Sequence, residues 1–181
     1  MRRLLPLLVL FAMAACAEQE ARRPVSVRTS TFYKESAERN RKLLLAEQAH
    51  FDNLFKKDST NEYLSSQNGF WYRYEVRDSL PGEQPREDDV VKLTYDLKNN
   101  QSKTIYSKEE IGIVSYKVDK QQNLPQGLRE GVKLMKVGET ITFFIPSSLA
   151  YGHLGDKNRI GFNTPIISTV TLLEIKKSTI N

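Results

Sequence analysis

The sequence predicts an α+β domain in which an antiparallel sheet curls around one short helix, preceded by a helical leader. Three observations carry this. Residues 90–97 and 140–145 alternate apolar and polar side chains between turns rich in Gly, Pro and Asn. A single run in their midst, 125–138, has helical spacing instead. A longer run, 32–57, holds neither Gly nor Pro and is rich in Glu, Arg, Lys, Leu and Ala.

Taken in order, residues 69–77 are aromatic and β-branched and read as a strand. Residues 78–89 contain Pro81, Gly82, Pro85 and five acids and read as a loop. In 90–97 the side chains of Val91, Leu93, Tyr95 and Leu97 share one face, and Lys92, Thr94 and Asp96 the other, as in a half-buried strand. Asn99-Asn100 turns the chain; 104–106 begins the next strand and 111–118 is another. Pro125 suits the first turn of the short helix. Leu128, Val132 and Met135 form its apolar face, and Gly138 is placed to end it. In 140–145, Ile141, Phe143 and Ile145 point one way, as core, until Pro146 stops the strand. A connection over 152–165 leads to a last strand, 166–176.

The leader admits two readings. Leu43, Leu44, Phe51, Leu54 and Phe55 recur near helical spacing, with Thr29, Ser30 or Thr31 available as a cap. Such a helix either packs on its own domain or acts as a spacer, or else it docks a partner or a second copy to make a homodimer. The organisation expected is a signal segment 1–15, a tether 16–31, the helical leader 32–66 and the main domain 67–181.

Composition excludes several functions. The formal charge is +5; removing 1–15 takes away Arg2 and Arg3 and leaves 25 basic against 22 acidic side chains. The basic residues are scattered among acids with no aromatic interleaving, so nucleic acid is not an expected partner. The one cysteine rules out an internal disulfide or a cysteine-based zinc site. His50 and His153 have no carboxylate at a metal spacing, and neither a metal nor a cofactor is expected.

The amino terminus reads as a processing signal. Arg2-Arg3 precedes the apolar stretch 4–15, which is shorter than the roughly 20 residues that cross a bilayer. Met13-Ala14-Ala15-Cys16 resembles the bacterial lipobox, which implies cleavage before Cys16, its lipidation and a membrane anchor. More than one acyl chain gives stable attachment. Ala17 after the cysteine resembles the sorting pattern for the outer membrane, facing the periplasm.

Three pieces then stand in fixed order: Gly127, Leu128, Gly131, Val132 and Gly138-Glu139; Phe143, Pro146 and Ala150-Tyr151-Gly152; and Ile160-Gly161, Asn163 and Pro165 running into the last strand. Together they resemble the carboxy-terminal half of FKBP-type peptidyl-prolyl isomerases, over about residues 85–176 and without gaps through 124–176. The whole chain is similar to the gliding-motility-associated isomerase lipoproteins of Bacteroidetes. The resemblance implies an FKBP-like fold, a rotamase activity on proline-containing polypeptides and a role in folding cell-envelope proteins. No cofactor follows from it.

That chemistry fits a sequence without a nucleophile. Peptide-bond rotation crosses a barrier of about 18–20 kcal/mol. A dry pocket and hydrogen bonds that favour the twisted amide lower it. By resemblance, Tyr151 donates its hydroxyl to a substrate carbonyl, and Ile160 is the apolar flap residue. Leu128 is the pocket floor, Leu124 a wall, and Val114 or Tyr116 another wall. Four positions depart from the family pattern. Leu93 stands where a tyrosine is common, Tyr106 where an aspartate lies near the substrate, and Ser168 where an aromatic stands. Pro125 takes the place of a residue that donates its backbone N–H, and proline has none. These departures keep a second class open, a membrane-anchored chaperone or interaction module without turnover.

Overall fold

The computed structural model describes residues 27–178, with side chains from residue 31. Cys16, the signal segment and residues 16–26 of the tether lie outside the described residues, and residues 27–31 fall in a helix. The chain divides into two compact units, Met1–Glu38 and Arg39–Asn181. In the first, the described residues are the opening turns of helix α1 (Val27–Lys57), where Phe32 and Tyr33 are exposed.

The second unit holds the remainder of α1 and then β1 (Leu64–Ser65), β2 (Trp71–Val76), β3 (Val90–Tyr95), β4 (Leu97–Asn99) and β5 (Thr104–Tyr106). Helix α2 (Lys108–Ile111), β6 (Val114–Lys117), helix α3 (Gln126–Val132), β7 (Thr140–Ile145), a 3-10 turn (Ser147–Leu149) and β8 (Ile166–Lys176) follow. All pairings are antiparallel, in the order β1-β2-β7-β8-β3-β6, with β4 also on β8 and β5 on β4. The expected α+β class, a sheet curled over a short helix, is the architecture observed.

Several boundaries differ from the sequence expectations, each for a local reason. Helix α1 starts at Val27, so Thr29–Thr31 lie within it instead of capping it. It ends at Lys57, and Leu64–Ser65, assigned above to the helical leader, instead pair with β2. The strand expected over 90–97 breaks at Asp96. There the Asp96 carboxylate accepts from the Thr169 backbone N–H (2.8 Å), and the Ser168 hydroxyl donates to the Asp96 carbonyl (2.7 Å). These side chains add to the ladder at this kink, where the Asp96 N–H still donates to the Thr169 carbonyl (3.3 Å). Helix α2 occupies the start of the strand expected over 111–118. Ser107 caps it by accepting from the Glu110 N–H (3.3 Å), in a Ser-x-x-Glu pattern that signals a helix start. Helix α3 stops at Val132, so Met135 packs from a turn, and Gly138 serves the entry to β7 with φ 88°. Pro125 is the N-cap, just outside the first turn.

The core lies between α3 and the inner face of the sheet, and includes Leu93, Tyr116, Leu128, Val132, Ile141, Phe143 and Ile145. Fully burying each such side chain contributes about 1.5–3 kcal/mol. Helix α3 approaches β7 closely because Gly127 and Gly131 share its inward face. A Cβ on Gly131 would meet the Phe143 ring at 2.6 Å. The outer face of β7 and β8 is covered by α1, whose Phe51, Leu54 and Phe55 pack on Phe144, Ile167, Tyr63 and Trp71.

Candidate functional site

Pro146 ends β7 because it has no N–H for the ladder. The chain then makes the 3-10 turn, whose first carbonyl, that of Ser147, accepts from the N–H of Ala150 (3.1 Å) and of Gly152 (2.9 Å). Tyr151 sits between those two donors. The Asn163 N–H donates to the Gly152 carbonyl (2.8 Å) and closes the neck of the 152–165 loop. Gly155 lets the loop fold back. Its φ is 66°, and a Cβ there would lie 2.2 Å from the Ile160 carbonyl oxygen, so only glycine fits.

Tyr151 is half-buried against the core, and among the described residues its hydroxyl has no hydrogen-bond partner. Burial pushes its phenol well above the ordinary tyrosine range, and the neighbouring Tyr95, Asp156 and Tyr106 push it further. It is therefore a neutral donor over the whole physiological range. The hydroxyls of Tyr63, Tyr106 and Tyr116 are by contrast engaged: with Asp58 (2.7 Å), with Asp156 (2.5 Å), and as acceptor from the Asp119 N–H (3.1 Å).

The loop is latched to the edge of β5 and α2. Tyr106 donates to Asp156, whose other oxygen accepts from the N–H groups of Asn158 (2.9 Å) and Ile160 (2.8 Å). Arg159 donates to the Ile105 carbonyl (3.0 Å), pairs with Glu110 (2.7 Å), and stacks over the Tyr106 ring at 4.8 Å. The latch holds Ile160 inward, 3 % exposed.

The residues singled out from sequence fall into two groups. Leu124, Val114, Tyr106, Tyr151 and Ile160 retain solvent-facing surface, though Leu124 and Ile160 only a little. Leu93, Tyr116 and Leu128 are wholly buried and belong to the apolar core against which Tyr106, Tyr151 and Val114 pack. Pro125 is buried too, its carbonyl accepting from the N–H of Leu128 and Arg129 (3.0 Å each). Ser168 serves the kink at Asp96 in place of a pocket wall.

Sequence reasoning missed Tyr95 and Asp156 as members of the site. Tyr95 was counted as core by its alternation, yet it brings a phenol close to Tyr151, two residues along the same face from Leu93. Asp156, on the loop, puts a carboxylate against Tyr106, the residue that stands where the family has its aspartate.

An antiparallel sheet curled over one short helix, with Tyr151 and Ile160 on the chain that leaves β7, is the architecture of the prolyl-isomerase fold. The family model described as FKBP-type peptidyl-prolyl cis-trans isomerase matches residues 82–173, and the chain belongs to that family. It is 35 % identical over 105 residues to "Probable FKBP-type peptidyl-prolyl cis-trans isomerase FkpA" of Neisseria meningitidis serogroup B, covering 57 % of this chain and 37 % of that protein. It is 34 % identical over 106 residues to the FkpA of Aeromonas hydrophila, covering 58 % and 38 %. The chain thus matches little more than a third of the length of these relatives. Among solved structures it resembles FkpA from Escherichia coli, with TM-score 0.59, 22 % identity and coverage of 97 % of this chain and 82 % of that one. It also resembles a peptidyl-prolyl cis-trans isomerase from Pseudomonas syringae pv. tomato, with TM-score 0.58, 19 % identity and coverage of 76 % and 96 %. At such identities these two structures show the fold alone.

Proposed function

We propose that the chain catalyses cis–trans isomerisation of X-Pro bonds in polypeptides, with Tyr151 as hydrogen-bond donor and Ile160 as the flap residue. One observation carries this reading: a half-buried, protonated tyrosine with an unused hydroxyl stands over an apolar bed. A client prolyl ring placed against Leu124 and Ile160 leaves water. The imide then loses solvation that favours its planar, charge-separated form. A donor that bonds better to the carbonyl of the twisted state than to that of either planar state lowers the barrier. Nothing is transferred, so no nucleophile is required.

The test is NMR exchange or a protease-coupled assay on an X-Pro peptide. Tyr151→Phe is expected to lower kcat/KM by about a hundredfold, the low end of the range for losing one well-placed donor that acts in the transition state. A wild-type rate equal to that of buffer would sink the reading. Client binding without turnover is the second reading, favoured by the full burial of Leu93 and Leu128, which leaves neither with surface for a client to touch. It requires peptide binding with no rate acceleration.

The proposal extends to the cell. The lipobox resemblance supports an anchor through Cys16 at the outer membrane, facing the periplasm. The likeness to gliding-motility lipoproteins supports a role in folding envelope proteins for that machine. Partner docking or dimerisation through the helix remains part of the proposal, since Leu44 and Leu45 on its surface are exposed.

A further inference from the structure

We infer that Glu47, on the helix that precedes the family-matched domain, is a positioning residue for the Tyr151 turn; this rests on the prolyl-isomerase reading above. Glu47 is 6 % exposed, and both its oxygens are spent on one residue. Oε2 accepts from the Ser147 N–H (2.9 Å) and Oε1 from the Ser147 hydroxyl (2.6 Å). The backbone and the side chain of Ser147 are thereby fixed together. The Ser147 carbonyl in turn accepts from Ala150 and Gly152, the two neighbours of Tyr151. A continuous chain of hydrogen bonds leads from the helix to both flanks of the catalytic side chain.

Docking alone does not account for a carboxylate here. Burying one is costly unless its hydrogen bonds are replaced. Phe51, Leu54 and Phe55 already seat the helix through apolar contact, and an apolar residue at position 47 would add to that seat without the cost. What the carboxylate supplies is two acceptors for the residue that opens the turn. A cleft of about 250 Å³ lies beside it, lined by Asn40, Leu43, Leu44, Ser148, His153 and Asn163 among others. Truncating Glu47 would widen that space, leaving Ser147 room to shift. Small displacements of a catalytic group are costly, up to about a hundredfold for 1 Å.

The test compares wild type, Glu47→Ala, Glu47→Gln, Tyr151→Phe and the Glu47→Ala/Tyr151→Phe double variant of the full chain. The readouts are kcat and KM for prolyl exchange, thermal midpoint, and hydrogen exchange at the Gly152 amide. Glu47→Ala is expected to lower kcat roughly tenfold or more with KM changed less than about twofold, the signature of a loss confined to the transition state. Glu47→Gln, which keeps an acceptor, recovers most of that. In the Tyr151→Phe background the alanine change causes no further fall, because it acts through the missing hydroxyl. The Gly152 amide exchanges faster in Glu47→Ala. An unchanged kcat, or an equal loss in both backgrounds, overturns the assignment. If wild type itself gives no acceleration, the isomerase reading fails and the Gly152 amide alone decides: faster exchange supports Glu47 as the anchor of the turn, and unchanged exchange overturns it.

Discussion

The two faces of β7 are built on opposite plans. Inward, Ile141, Phe143 and Ile145 meet the glycine-bearing face of a short helix through apolar contact. Outward, Phe144 meets the aromatic stripe of α1, where Phe55 stacks on Tyr63 at 4.1 Å and meets Phe144 edge-on at 5.0 Å. Beside that stripe runs a polar network. Arg73 pairs with Asp58 (3.0 Å) and Glu75 (2.6 Å), and Thr142 donates to Glu75 (2.7 Å). Hydrogen bonds from Tyr63, Thr60 and Asn61 hold the Asp58 carboxyl well below the usual range. The inner face makes the floor of the site. The outer face fixes the helix, and through Glu47 the turn above that floor, so the site depends on both.

That dependence is tested first by Phe51→Ala, where the largest effect is expected. Phe51 is wholly buried and lies against three aromatic rings besides that of its neighbour His50: Phe55, Trp71 and Phe144, with centroids at 6.2, 5.7 and 5.9 Å. Truncating a buried phenylalanine costs about 3–5 kcal/mol. A single cooperative denaturation curve, shifted by that amount, is expected. Two separated transitions, with the sheet's own midpoint unmoved, would show that the outer face merely rides on the domain.

Gly131→Ala strikes the inner face and should do less. Alanine favours helix over glycine by about 1 kcal/mol. Its Cβ would nevertheless lie 2.6 Å from the ring of Phe143, which is wholly buried. Overpacking of that kind costs about 1–3 kcal/mol. Equilibrium unfolding checks the sign: a stabilised variant would mean that α3 can lift off β7 freely.

The same contrast explains what was legible in the sequence. The inner face follows period-two alternation along β3 and β7, so Val91, Leu93, Ile141, Phe143 and Ile145 could be placed on it from spacing alone. Strand 140–145 has the bounds that its alternation and Pro146 predict, and 166–176 those that follow the connection ending at Pro165. The outer face is held by pairs such as Glu47 with Ser147 and Arg73 with Asp58, which are distant in sequence and obey no period. The close approach of α3 through Gly127 and Gly131 was equally hidden, since an absent side chain leaves no hydrophobic mark. Tyr151 and Ile160 were found through family resemblance. Asp156 was not, because in this chain it meets a tyrosine where the family has an aspartate.

The latch over the site gives the smallest and most local effect. Burial pushes the Asp156 carboxyl up, but the Tyr106 hydroxyl and the N–H groups of Asn158, Ile160 and Arg159 outweigh it, and the net shift is below the ordinary 3.8. A carboxyl lowered on folding stabilises fully above its ordinary value, and that contribution fades as pH falls through the lower folded value. The latch should therefore hold through neutral pH and loosen only below about pH 4. Hydrogen exchange at the Ile160 amide, whose N–H Asp156 accepts, reports it directly: its protection should fall in acid more than that of amides within β7. Asp156→Asn should weaken protection at neutral pH and flatten its acid dependence, since no proton is then taken up at that position. Glu110→Gln in the same series separates the Arg159 pair from the Tyr106–Asp156 bond. Acid loosening that survives Asp156→Asn unchanged and vanishes in Glu110→Gln would move the latch to Arg159.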